Sequence, residues 1–135
     1  MPAYEKHSAQ AKHNEGLLKL IRAQNKQKLY EDWCVTVAFY TALHYFEAML
    51  AVVKPNIYTP GAMVTAEHCT DHNTRSNIMK AKFENLHYPY SVLYKFSRLA
   101  RYNCHSPNTY VRTNAEKSLE AVKKECRRLI LNKKK

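Results

Sequence analysis

The 135 residues carry 22 lysines and arginines against 11 aspartates and glutamates, a formal charge of +11, and 45% of them are apolar. That length and composition predict one folded domain, over 1–135, with a core of its own rather than a disordered chain. Only two glycines, Gly16 and Gly61, are present, too few for the turns of an all-β protein.

Residues 3–28 read as a first helix, with Pro2 suited to its first position and Leu17, Leu18 and Ile21 as its apolar stripe. Gly16 weakens it by about 1 kcal/mol relative to alanine. Asp32 is a good N-cap for the second helix. Trp33, Val37, Tyr40, Leu43, Glu47 and Leu50 follow at spacings of three and four. The stretch 32–50 is apolar nearly all round, as expected of the central helix of a bundle. His44 and Glu47 lie inside it, and burying them is costly unless they find partners.

Pro55 ends this helix, and 54–66, with Pro60 and Gly61, reads as one long loop. A third, shorter helix is predicted from Thr70 or Asp71 to about Phe83. Its apolar content is thin (Ile78, Met79, Phe83), which places it on the surface. A fourth starts near Pro89, carries Tyr90, Leu93, Tyr94, Ser97, Ala100 and Arg101 on one stripe, and ends around Asn103. Asn108 caps a fifth, in which Val111, Ala115, Leu119, Val122, Cys126 and Leu129 repeat at three and four. The predicted fold is all-α: an antiparallel up-and-down bundle of four long helices plus a shorter one, with a basic tail at 132–135.

The excess positive charge draws phosphates and other anions to the surface. Lys123, Lys124, Arg127, Arg128 and the terminal lysines contribute to it. They serve equally as a solvated helix end, where cations suit the dipole. Cys34, Cys69, Cys104 and Cys126 form no CxxC pair, and the start 1–10 is polar, unlike a signal peptide. Reduced thiols and a cytoplasmic location are expected. Asp32, His44 and Glu47 argue against a membrane span.

Three blocks then stand in order: Asp32-Trp33 with Phe39-Tyr40, Leu43-His44 and Glu47-Ala48; His72-Asn73-Thr74-Arg75; and Tyr90, Leu93-Tyr94, Ser97 and Ala100-Arg101-Tyr102. Together they resemble the small HEPN-like helical proteins of bacteria and archaea, over roughly residues 10–130. The resemblance implies a helical bundle that dimerises. It also implies RNA binding, with metal-independent endoribonuclease activity of the toxin or defence type in active members. A partner of the nucleotidyltransferase-type antitoxin class is implied as well. Active members carry an arginine, four to six residues, then a histidine. Here Arg98 and His105 have that spacing, with His105 in a predicted loop.

Of the candidate site residues, His44 follows Tyr40 by one turn and serves as a general base or as a satisfied core histidine. Arg101, next to Tyr102, suits a two-pronged phosphate contact, and equally a pair with Glu47 or the last carbonyls of its helix. His72 and Arg75 share a helix face, so they either join His44 or stabilise an exposed helix. If that face meets His44 and Arg101, then His44, His72, Arg75 and Arg101 form the expected catalytic set: a histidine takes the 2′-hydroxyl proton and an arginine steadies the phosphorane charge. Tyr40, Arg98, Tyr102 and His105 are the expected substrate contacts. The clustered tyrosines 88, 90, 94, 102 and 110 either stack on bases or pack. His68 and His72 have zinc-ligand spacing, but no third ligand at suitable spacing follows, so no metal or cofactor is expected. The competing reading is a non-catalytic interaction or dimerisation module whose His/Arg cluster is structural.

Overall fold

The computed structural model describes residues 3–25, 28–59, 61–69, 71–102 and 107–134. They form five helices and one hairpin: α1 (Ala3–Gln24), α2 (Glu31–Val53), β1 (Asn56–Thr59), β2 (Ala62–Thr65), α3 (His72–Lys82), α4 (Glu84–Tyr102) and α5 (Thr109–Lys133). The all-α expectation holds, with four helices of 19 to 25 residues and one of 11.

The apolar stretch on α2 becomes the centre of the core. α1, α4 and α5 all pack on it, α4 also packs on α5, and α3 packs on α4. Cys34, Val35, Ala38, Ala42, Phe46, Met49 and Leu50 are buried on α2, and Leu86, Tyr90 and Leu93 of α4 and Ala115, Leu119 and Val122 of α5 close over them. Among the described residues, α2 is the one helix long and apolar enough to cross a membrane, yet 72% of its most apolar window is buried by the rest of the chain. Cys34, Cys69 and Cys126 are buried free thiols. Burial pushes the Cys34 thiol up to about 11 and the Cys69 thiol up to about 12.

Several boundaries differ from expectation. α1 stops at Gln24, and its buried residues are Ala11 and Leu18, with Leu17 exposed. α2 starts one residue before the expected cap: Tyr30 holds the cap position without a side-chain bond, and Asp32 sits in the first turn. The reason is Glu31, which is buried and takes hydrogen bonds from Asn25 Nδ2 at 2.6 Å and Arg112 Nε at 2.8 Å. That pairing ties the end of α1 and the start of α5 to the first turn of α2.

The 54–66 loop is an antiparallel hairpin, with Asn56 opposite Thr65 and Thr59 opposite Ala62. Gly61 supplies the positive φ of +89° that its turn needs. α4 begins at Glu84 and carries Pro89 inside it, because Leu86, Pro89, Tyr90 and Leu93 continue one buried stripe upstream of the proline. α3 is not wholly superficial: Arg75, Ile78 and Met79 are buried. The expected cap Asn108 is in place, accepting from Val111 N, and Asp71, one of the two expected starts of α3, caps it by accepting from Thr74 N.

Candidate functional site

Tyr40, His44 and Glu47 follow one another at helical spacing on one stripe of α2. Other elements bring side chains to that stripe. The first turns of α1 bring His7, and the strand-to-helix segment 66–69 brings His68 and Cys69. α3 brings His72 and Arg75, since the Asp71 cap sets where its first turn begins. α4 brings Tyr90, Tyr94, Ser97, Arg98, Arg101 and Tyr102.

Glu47 is the anchor of the first cluster. It is 1% exposed, yet both of its oxygens are occupied. Oε1 accepts from Arg75 Nε at 3.0 Å; Oε2 accepts from Cys69 N at 3.1 Å and lies 2.9 Å from His68 Nδ1. Arg75 also donates from Nη2 to the Cys69 carbonyl at 3.1 Å. Burial works against the Arg75 charge, but the Glu47 carboxylate and the Tyr90 hydroxyl hold it and raise its pKa. His44 meets His7, Nδ1 to Nδ1, at 3.0 Å, and His7 stacks on His44 and His68 with ring centroids 5.2 and 5.6 Å away. Burial lowers the pKa of both His7 and His44, and each has a further histidine as neighbour that lowers it more.

The second cluster is aromatic and cationic. The Arg101 guanidinium lies 4.8 Å from the Tyr102 ring, 5.4 Å from Tyr40 and 5.7 Å from Phe39. It donates to the Tyr40 hydroxyl at 2.8 Å and to the Ser97 carbonyl and hydroxyl, each at 3.2 Å. Arg98 lies 5.1 Å from the Tyr102 ring and 5.8 Å from Tyr94. Among the described residues no carboxylate comes within 4.0 Å of either guanidinium.

Tyr90 and His72 join the clusters. The buried Tyr90 hydroxyl contacts His72 Nδ1 at 3.2 Å, and its own pKa is pushed up to about 12 by burial. His72 stacks flat on Tyr94, with centroids 3.4 Å apart and planes 4° apart. Burial lowers the pKa of His72, and the Arg75 and Arg98 charges add to it. The unfolded chain therefore binds a proton at this position more readily than the folded one. The resulting stability is complete above the ordinary histidine value of 6.5 and is lost as pH falls through the lower folded value. The melting temperature is expected to fall between pH 7 and pH 5, and a His72→Phe variant to show a shallower fall. Equal slopes for the two would overturn this assignment.

The four residues of the expected catalytic set thus lie along one strip, not around one point. His44 and Arg101 both border Tyr40, and Arg75 and His72 share Tyr90. The pairings differ from expectation. Glu47 takes Arg75 and not Arg101, and His44 takes His7 and not His72 or Arg75. His68 and His72 do not share a ligand: one faces Glu47, the other Tyr90 and Tyr94. His105 lies outside the described residues. His7 was missed in the sequence, although its spacing to the buried Ala11 and Leu18 puts it on the inner face of α1. Compared with known family models, curated proteins and solved structures, the chain has no match.

Proposed function

We propose that this chain is a HEPN-like antiparallel bundle that binds single-stranded RNA on the strip between Tyr40 and Tyr102. The observation that carries the reading is the pair Arg98 and Arg101, set over the rings of Tyr40, Tyr94 and Tyr102 with no carboxylate partner among the described residues. Guanidinium groups within 4.8 to 5.8 Å of tyrosine rings offer both a phosphate fork and, with those rings, stacking faces for a base. Tyr102 is 62% exposed and Tyr40 38%, so both rings are open to a ligand. The net charge of +11 favours such a polyanion over an acidic small molecule.

Cleavage is the further step in this reading. His44, with its pKa below the usual 6.5, is neutral at pH 7 and so able to accept a proton. It would take the proton of a 2′-hydroxyl, whose oxygen then attacks the adjacent phosphorus, and the 5′-oxygen leaves with a proton from solvent. Arg101 would hold the phosphate oxygens. Arg75, committed to Glu47 and the Cys69 carbonyl, serves the scaffold. His72 positions Tyr94 by stacking.

The interaction-module reading also has an observation in its favour. Leu17, Leu20, Leu29, Tyr30 and Trp33 are all exposed, an apolar area of the kind that marks contact surfaces. Homodimerisation, or docking to a nucleotidyltransferase-type partner, would cover it. Labelled single-stranded RNA incubated with the protein in EDTA separates the readings. Binding at low salt is expected, and cleavage that His44→Ala abolishes with binding intact identifies the enzyme. Absence of both binding and cleavage would leave the interaction module alone.

A further inference from the structure

We propose that His7, His68 and Glu47 form a binding site for a zinc-class divalent metal ion. One ligand atom from each lies within 4.8 Å of the other two. Ligands on a tetrahedral zinc stand about 3.3 Å apart, given bonds of about 2.0–2.1 Å. His68 Nδ1 and Glu47 Oε2, at 2.9 Å, are already near that separation. Two imidazoles and one carboxylate match the donor preference of zinc and leave a fourth position for water.

The surroundings resemble those of a built metal site. A ligating carboxylate needs its other lone pairs held, and Arg75 Nε and the Cys69 amide hold those of Glu47 at 3.0 and 3.1 Å. A ligating histidine needs its ring orientation set from outside. His44 Nδ1, 3.0 Å from His7 Nδ1, makes such a contact. Glu47 is 1% exposed while the His68 side chain is 54% exposed, so the ion has a buried anchor and an open route in. The three ligands come from α1, α2 and the segment before α3. An ion there fastens the N-terminal helix and that segment to the core helix. The inference goes beyond RNA binding and does not depend on it.

The test uses untagged full-length protein loaded with Zn²⁺, desalted and measured for bound zinc. Co²⁺ titration follows by visible absorption. One ion per chain is expected, with the absorption of a nitrogen- and oxygen-ligated cobalt, and a higher melting temperature in Zn²⁺ than in EDTA. His68→Ala removes an exposed ligand and leaves the core untouched. It is expected to weaken Zn²⁺ binding by about 100-fold, at or above the 10–100-fold that loss of an outer partner costs. Arg101→Ala is expected to bind as the parent does. Zinc below stoichiometry in the parent overturns the proposal, and so does His68→Ala binding zinc with unchanged affinity.

Discussion

Glu47→Ala is expected to lower the stability of the fold by about 3–5 kcal/mol, the usual loss when one partner of a buried ion pair is removed. At this chain length that corresponds to a melting temperature lower by about 10–20 °C. The size follows from what remains. Arg75, 9% exposed, would keep its charge beside Tyr90 and the Cys69 carbonyl with no counter-charge. The Cys69 amide would lose its acceptor as well. Arg75→Ala is expected to cost a similar amount, because it leaves the carboxylate buried. The two losses should not add, since both remove the same contact. Replacing both together, Glu47→Leu with Arg75→Met, is expected to recover most of the loss. Thermal melts in EDTA of the parent, the two alanine variants, their Glu47→Ala/Arg75→Ala double and the Leu/Met double check this. Additive losses, or a change below about 1 kcal/mol for either single variant, would show that solvent screens the pair as at a surface.

The helices were legible because each carries its own periodicity. α2 was the clearest: fifteen of its residues are buried, and no arrangement but a central helix hides an apolar surface on all sides. The boundaries failed where a tertiary contact outweighed a local signal. Asp32 is a better cap by composition than Tyr30, but Glu31 has Asn25 and Arg112 as partners only if the helix begins with it. Pro89 reads as a helix start. In the structure the burial of Leu86 carries the helix back past it. The hairpin was hidden because β2 is exposed throughout, so it shows no alternation of apolar and polar residues for a strand period to reveal.

The candidate site was legible as a set of residues but not as a set of contacts. His44 and Glu47 sit at helical spacing on one stripe of α2, and His72, Arg75 and Arg101 reach that strip from α3 and α4. Which cation meets which anion depends on how far α3 and α4 are displaced along α2, and spacing within a helix carries no information about that. Arg75 reaches Glu47 from a first turn fixed by Asp71, whereas Arg101 lies two turns away at Tyr40. His7 was invisible for another reason. A polar helix with few apolar residues gives little sign of which face it buries, and only the small Ala11 and the single Leu18 mark it.

Arg101→Ala is expected to weaken single-stranded RNA binding by about 10–100-fold, the equivalent of one charge-assisted contact at about 1.5–3 kcal/mol. The slope of log affinity against log salt should become shallower by about one phosphate contact. Stability should change little. Arg101 is half-buried and its partners survive without it: Tyr40 is open to water, and the Ser97 hydroxyl still donates to the Tyr94 carbonyl. Arg101→Lys retains the charge but loses the fork and the flat face, so an intermediate affinity with a parental salt slope is expected. Arg98→Ala should act in the same direction, and more weakly, because its single bond to Tyr94 is 3.4 Å long and it sits farther from the Tyr102 ring. Fluorescence anisotropy over a salt series, with a thermal melt of each variant, separates the two roles of the arginine. A variant that melts early and binds RNA as the parent does would mark Arg101 as a brace between α4 and α2. A variant that melts as the parent does and binds weakly, with the shallower slope, would place it on the phosphate.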